Sequence, residues 1–105
     1  MTFNDFSTKI KSAGFSVAEA EFKKSVNTPF LVYFKGVDKS IHADGKLIYQ
    51  NIEVILELYT EKTDTESQTK LERWLIENDL PFKMTERSWI SEENFYMTVY
   101  KVNLL

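Results

Sequence analysis

The feature that most constrains the fold is a change of hydrophobic period within residues 51–75, NIEVILELYTEKTDTESQTKLERWL. The first part alternates apolar and polar residues, which is typical of a strand with one buried face. The second part places apolar residues at helical spacing. A short polar joint separates the two parts. The segment therefore predicts a strand followed by an amphipathic helix that packs on the sheet.

The alternating part predicts one long strand from Leu47 to Glu61. Its core side is formed by Ile48, Ile52, Val54, Leu56 and Leu58. Its half-exposed side carries Glu53, Ile55, Glu57 and Tyr59. The helix is predicted over residues 64–79, with a buried stripe of Leu71, Trp74 and Leu75. Thr63 or Asp64 is predicted to cap its start, and Pro81 follows its end.

Shorter patterns predict the remaining elements. FNDFSTKIKSAGF indicates a short amphipathic N-terminal helix that ends at Gly14. FSVAEAEF is interpreted as a strand, with a continuation of the helix as the alternative, and PFLVYFK as a second strand. FKMTERSWI and NFYMTVYKVNLL predict a hairpin joined at residues 91–93. The order is α-β-β-β-α-β-β, which predicts an α+β fold with a single, mostly antiparallel sheet. The N-terminal helix and the one longer helix are expected to pack on this sheet.

Residues 36–46, GVDKSIHADGK, show no hydrophobic period and are rich in Gly, Asp and Ser. Such a composition predicts a long surface loop. Long loops in a small domain often have a function, and the alternative interpretation is a disordered segment. The loop is therefore the first candidate for a contact surface.

Composition excludes several classes of protein. A length of 105 residues predicts a single domain, residues 1–105. The net charge of −3 provides no basic stripe, so specific nucleic-acid binding is not expected. The chain has no cysteine, which excludes disulfides and sulfur-ligated zinc. The start resembles no signal peptide, and the longest apolar run, FLVYF, is far shorter than the ~20 residues of a membrane span. We expect a protein that stays in solution.

Two groups of carboxylates are candidates for chemistry. Glu61, Asp64 and Glu66 at the polar joint could hold a metal ion, but acidic residues also favour the positive end of a helix dipole. Helix capping is the favoured interpretation. Glu53 and Glu57 lie four strand residues apart, about 13 Å, which is wider than the ~6.5–9.5 Å of an inverting glycosidase pair. They are interpreted as a solvated or inter-subunit charge row.

Histidine and tyrosine residues give no firmer sign of activity. His42 lies near Asp44, which could orient a general base, but the sequence contains no nucleophile motif. Four tyrosines could stack single-stranded nucleic acid: Tyr33, Tyr59, Tyr96 and Tyr100. Packing in the core or in a protein interface is the favoured interpretation, because few basic residues surround them. No catalytic residue, metal or cofactor is predicted.

Five segments taken together resemble a known group of proteins. They are the strand FLVYF, the loop ending in HADGK, the strand IYQNIEVILELYTEKTD, the helix TKLERWLIENDLPF and the hairpin SWISEENFYMTVYKVNLL. They are similar to small proteins of tailed bacteriophages and prophages of Gram-positive bacteria, which are encoded among the head–tail joining genes. Such proteins are described as tail terminators, tail completion proteins or tail-to-head joining proteins. The resemblance covers nearly the whole chain after residue 15, and its most distinctive part is ELYTEKTD with the helix that follows.

The resemblance implies a non-enzymatic virion assembly protein. Its subunits are expected to form a ring, commonly of six copies, that caps the tail tube and bridges it to the head connector. The implied partners are further copies of the chain, the tail tube protein and the head connector protein. The implied location is the host cytoplasm during assembly and then the neck of the virion.

Two groups of residues are predicted to form the interface. The loop group is Asp38, Lys39, Ser40, Ile41, His42 and Asp44, and the strand group is Glu53, Glu57 and Tyr59. The long final strand is also expected to leave a sheet edge that neighbours can use. Two rival functions are a small metal-dependent enzyme that uses the joint carboxylates and a bacterial ligand-binding accessory domain.

Overall fold

The computed structural model describes residues 1–104, which form helices and strands in the predicted α+β arrangement. The helices are α1 (Phe3–Lys9), a 3-10 turn (Ile10–Ala13) and α2 (Ser67–Glu77). The strands are β1 (Ser16–Glu19), β2 (Phe30–Asp38), β3 (Ile41–Ala43), β4 (Lys46–Tyr49), β5 (Ile52–Thr60), β6 (Phe82–Ile90) and β7 (Phe95–Leu104). The predicted N-terminal helix, the first strand and the C-terminal hairpin are confirmed.

Five strands form the main sheet in the order β1-β2-β5-β7-β6. All neighbours are antiparallel except β1 and β2, which are parallel. The prediction that the final strand leaves an open edge is wrong, because β7 pairs with both β5 and β6. Thr98, Tyr100 and Val102 of β7 are buried on the same face as Val54, Leu56 and Leu58. The edges of the sheet are β1 and β6.

Both helices pack on one face of this sheet. The predicted alternation in β5 is confirmed, since Val54, Leu56 and Leu58 are fully buried on that face. Leu71 and Leu75 of α2 are fully buried in the same cluster, as predicted. Burial of these apolar side chains provides the main free energy that holds helices and sheet together.

The N-terminal helix closes one part of this core. The Thr2 hydroxyl accepts a hydrogen bond from the Asp5 amide, and the Asp5 carboxylate accepts one from the Thr2 amide. This reciprocal pair satisfies amides at the start of the helix. The helical segment ends at Gly14 as predicted, where φ is +88°. Lys70 of α2 donates to the Gly14 carbonyl at 2.9 Å and so ties the two helical segments together.

The region predicted as a loop folds differently. β2 continues to Asp38, and residues 41–49 form a separate two-stranded hairpin, β3–β4, which we call the arm. The turn residues Asp44 and Gly45 have φ of 52° and 75°, and a two-residue type I′ turn requires positive φ at both positions. Asp-Gly is therefore a hairpin signal in this sequence.

The predicted single strand from Leu47 to Glu61 is broken into β4 and β5 at residues 50–51. Ile48, predicted to lie in the core, is 66% exposed on the arm. The molecule is 51 Å long, whereas a strand of nine residues spans about 30 Å. Within residues 1–104, β3 and β4 pair only with each other, and they lie beyond the Asp38–Ile52 pair that ends the β2–β5 register. The arm therefore accounts for the extra length and projects from one end of the sheet.

Candidate functional site

The arm carries a concentration of exposed apolar side chains. Ile41, Leu47, Ile48 and Tyr49 are all exposed, and Val37 at the base of the arm is exposed as well. Single exposed apolar residues are common on protein surfaces, but a contiguous group is typical of an interaction site. Within residues 1–104 no other element covers the arm, since residues 41–49 are all exposed and β3 and β4 pair only with each other. It is therefore the strongest candidate for a contact surface.

Two of the predicted loop residues hold the base of the arm. The Ser40 amide donates to the Asp38 carboxylate at 2.9 Å, and the Ser40 hydroxyl accepts from the Asn51 amide at 3.0 Å. The hydrogen bonds from the Ser40 hydroxyl and amide lower the pKa of Asp38. Asp38 and Ser40 thus fix the joint between arm and sheet, which sequence patterns did not indicate.

The other predicted loop residues lie on the free surface of the arm or at its base. Lys39, Ile41, His42 and Asp44 are exposed. His42 pairs with Leu47 across the arm, on a strand where a loop was predicted. Among residues 1–104 no group of three or more His, Asp or Glu side chains is arranged to hold a metal ion.

The polar joint after β5 is organised as a helix cap. One carboxylate oxygen of Asp64 accepts from the Glu66 and Ser67 amides at 3.0 and 2.9 Å, and the other accepts from the Ser67 hydroxyl at 2.6 Å. Partial burial alone would raise the pKa of Asp64, but these hydrogen bonds outweigh it and lower that pKa. The helix begins at Ser67, three residues later than predicted, and its N-cap residue is Glu66, so the prediction that Thr63 or Asp64 is the N-cap is wrong. Asp64 lies two residues before the N-cap and accepts from the first amides of the helix.

We expect Asp64→Ala to lower the free energy of unfolding by about 0.5–2 kcal/mol, because the amides of Glu66 and Ser67 lose their acceptor. Denaturant unfolding at pH 7 measures the change. Glu61→Ala is the matched control, since Glu61 is exposed in the same joint, and it should change stability by less than ~0.5 kcal/mol.

The pH dependence of stability shows whether Asp64 acts through these hydrogen bonds or only as a surface charge. Because folding lowers the pKa of Asp64 below its ordinary value of 3.8, the stabilisation is present above that value. It is lost as the pH falls through the lower, folded-state pKa. The stability difference between wild type and Asp64→Ala should therefore shrink under acid conditions. A difference that stays constant to pH 2 contradicts the capping role.

The sheet face opposite the helices carries the predicted strand group. Glu53, Glu57 and Tyr59 are half-buried on this face, as the alternation indicates. The Tyr59 hydroxyl donates to the Glu57 carboxylate at 2.9 Å. Burial, followed by this hydrogen bond to a carboxylate, raises the pKa of Tyr59. A Cβ at Gly36 would lie 3.0 Å from the Glu53 carboxylate, so glycine there leaves room for Glu53.

An aromatic pocket lies on this uncovered face at the end of the sheet remote from the arm. Phe30 stacks on Tyr59 with ring centroids 4.7 Å apart, and Phe22 contacts Phe30 edge-on at 5.5 Å. The cavity has a volume of about 270 Å³ and is lined mainly by Phe22, Val26, Phe30, Val32 and Tyr59. Glu21 and Glu57 also line it. We call this cavity the aromatic pocket.

Sequence patterns did not predict this pocket. Phe22 and Val26 come from the segment between β1 and β2. Phe22 ends the stretch FSVAEAEF that is interpreted as a strand, but β1 stops at Glu19. That segment reaches the face only because β1 pairs parallel to β2 and the chain must return to start β2. Phe30 and Tyr59 become neighbours through the pairing of β2 with β5.

The four tyrosines do not form one stacking platform. Tyr33 and Tyr100 are buried on the helix face, whereas Tyr59 lies on the opposite face. The Tyr100 hydroxyl donates to Glu72 of α2 at 2.8 Å, so it links sheet and helix. Tyr96 packs against Trp89 and lies under the Arg87 guanidinium. The packing interpretation is confirmed for Tyr33 and Tyr100.

A scan against models of known protein families finds no match for this chain, and a search of curated proteins finds no similar sequence. No helix within residues 1–104 combines the length and the hydropathy that crossing a bilayer requires. The arm, the uncovered sheet face and the sequence resemblance are the features that bear on function.

Proposed function

We propose that this chain is a non-enzymatic assembly subunit of a bacteriophage neck. In this proposal several copies form a ring that terminates the tail tube and joins it to the head connector. The observation that carries the proposal is the arm, which places Ile41, Leu47 and Ile48 in solvent at one end of the molecule. Exposed apolar side chains of this kind are stabilised when a partner covers them.

The shape of the chain supports a ring subunit. A ring forms when one surface of a subunit binds a different surface of the next and the rotation closes. This chain offers two unlike surfaces, an arm at one end and an uncovered sheet face that carries Glu53, Glu57 and Tyr59. The core on the other face is complete without a partner, since it is closed by α1 and α2.

The partners in this proposal are other copies of the chain, the tail tube protein and the head connector protein. A net charge of −3 gives little attraction to phosphate, which suits a ring through which DNA passes without being held. The proposal places the protein in the host cytoplasm during assembly and in the neck of the finished particle.

The test changes the arm in the phage or prophage that carries the gene. We expect Ile48→Glu to leave the subunit folded but to abolish joining, because a charge replaces an apolar contact. Electron microscopy of lysates would then show separate heads and tails. Tails of uncontrolled length would assign the terminator role, and separate tails of normal length would assign the tail-to-head joining role.

Ile76→Glu is the matched control. Ile76 lies on α2 and is 66% exposed, the same value as Ile48, so both variants place a charge at an equally accessible site. The control should give normally joined particles. Absence of the wild-type chain from purified particles would contradict the proposed function, and normal joining by Ile48→Glu would contradict the role of the arm.

A further inference from the structure

We infer that the aromatic pocket receives the arm of a second copy of this chain, so that copies join head to tail. The inference rests on the self-association in the proposed function and specifies the two surfaces that carry it. Three observations support it: the two surfaces lie at opposite ends of the sheet, their chemistry is complementary, and the edge strand β6 is protected against pairing.

The arm and the pocket lie at opposite ends of the sheet. β2 begins at Phe30, which lines the pocket, and ends at Asp38, where the arm begins. Eight residues of strand separate these points by about 26 Å. The arm also projects away from the sheet, so the arm of one copy does not reach its own pocket. Only another copy can bring the two surfaces together.

The chemistry of the two surfaces is complementary. The pocket has apolar walls, formed in part by Phe22 and Phe30, with the carboxylates of Glu21 and Glu57 beside them. In β4 the basic side chain of Lys46 precedes three exposed apolar residues, Leu47, Ile48 and Tyr49. An apolar side chain of the arm can enter the pocket while Lys46 lies near its carboxylates.

Strand addition at the sheet edge is the other way in which an arm could dock. The accessible long edge is β6, but its register shifts between Met84 and Glu86. Lys83 and Arg87 place charges along the same strand. Bulges and charges of this kind protect edge strands from pairing. The structure therefore favours insertion of arm side chains into the pocket over pairing of the arm with β6.

A contact between unlike ends has a definite consequence for assembly. It leaves one free arm and one free pocket at the ends of every chain of subunits, so it produces rings or open chains and not two-fold dimers. The arm contributes only nine residues, whereas a stable interface of standard size uses about 20–30 residues on each side. A single contact is thus weak, and a closed ring or the tail end is needed to hold it.

Disulfide trapping tests this contact, and the absence of native cysteine makes the test clean. The double variant Val26→Cys with Ile48→Cys puts one thiol in the pocket and one on the arm of the same chain. Under mild oxidation we expect a ladder of covalent oligomers on a denaturing gel. When the single variants Val26→Cys and Ile48→Cys are mixed, each chain has one thiol. We then expect disulfide-linked dimers of one variant with the other and no larger oligomers.

The matched control is Val26→Cys with Ile76→Cys, since Ile76 is as exposed as Ile48. We expect its ladder to be at least tenfold weaker. An equal ladder from the control, or no ladder from the arm variant, overturns the inference. Efficient dimers from Ile48→Cys alone also overturn it, because they indicate arm-to-arm pairing.

Charge reversal gives a second readout. Lys46→Glu should reduce the yield of the ladder several-fold, and adding Glu21→Lys should restore it. A ladder in a protein that never enters phage particles refutes the proposed function and supports the inference. Joined particles in which arm and pocket thiols never cross-link refute the inference and leave the proposed function standing.

Discussion

Replacing Trp74 by alanine is expected to lower the free energy of unfolding by about 3–5 kcal/mol. Trp74 is only 8% exposed, its ring contacts Phe6 edge-on at 6.3 Å, and its indole N–H donates to the Ser12 hydroxyl at 3.1 Å. The substitution leaves a cavity between α2 and the N-terminal helical segments. For a domain of this size each kcal/mol corresponds to about 4–8 °C in Tm, so thermal melting measures the loss directly.

Ile76→Ala on the same helix is the control for this prediction. Ile76 is 66% exposed and belongs to no buried cluster, so its replacement should change stability by less than ~0.5 kcal/mol. Similar losses for the two variants would mean that the buried face of α2 is not the one described. A small loss for Trp74→Ala alone would mean that the N-terminal segment does not close the core at this point.

Replacing Phe6 by alanine is expected to cost about 3–5 kcal/mol as well, even though Phe6 lies near the chain start. Its side chain is fully buried and makes edge-on ring contacts with Tyr33 of the sheet at 5.7 Å and with Trp74 of α2. Phe6 thus joins the N-terminal helix to both layers. Denaturant unfolding of the variant gives the change.

A double-mutant cycle sharpens this second prediction. If the two rings contact as described, the losses for Phe6→Ala and Trp74→Ala should differ from additivity by about 0.5–1.5 kcal/mol. Lys9→Ala, an exposed change on the same helix, should alter stability by less than ~0.5 kcal/mol. Strict additivity would contradict the ring contact, and a loss for Phe6→Ala below 1 kcal/mol would contradict the closing role of α1.

The parts of the fold that the sequence predicts correctly are those where a local period reports burial. Val54, Leu56 and Leu58 alternate because one face of β5 meets the helices, and Leu71, Trp74 and Leu75 recur at helical spacing because one side of α2 meets the sheet. In both segments the burial of side chains repeats with the period of the backbone, two residues in the strand and about 3.6 in the helix. The pattern and the structure therefore agree.

The sequence does not predict the arm, because the arm packs on no core and therefore has no hydrophobic period. All of residues 41–49 are exposed, so their apolar and polar residues follow no burial pattern. The only local sign of a hairpin is the Asp44-Gly45 pair, whose φ angles suit a type I′ turn. Ile48 of β4 falls on the same parity as the core residues of β5, so the sequence predicts one strand from Leu47 to Glu61 with Ile48 in the core, whereas Ile48 is exposed on the arm.

Strand order and the pocket depend on contacts between distant parts of the chain. The interior position of β7 follows from its pairing with both β6 and β5, and the residues that it pairs with in β5 lie 36 to 52 positions earlier in the sequence. The pocket needs Phe22, Phe30 and Tyr59 from three separate segments. Neither a period nor a turn signal within one segment specifies such pairings. The sequence predicts Ile41 and Tyr59 as interface residues, but it does not predict the arm and the pocket to which they belong.

The joint between sheet and arm also makes the arm modular. Both of its strands leave the sheet at one register pair, Asp38 opposite Ile52, and the Ser40 and Asn51 hydrogen bond closes that point. Side chains alternate with a period of two along a strand, so two residues added to each of β3 and β4 keep every apolar residue on its side, whereas one added to each reverses them. The reach of this protein can thus change in steps of about 7 Å without altering a core residue.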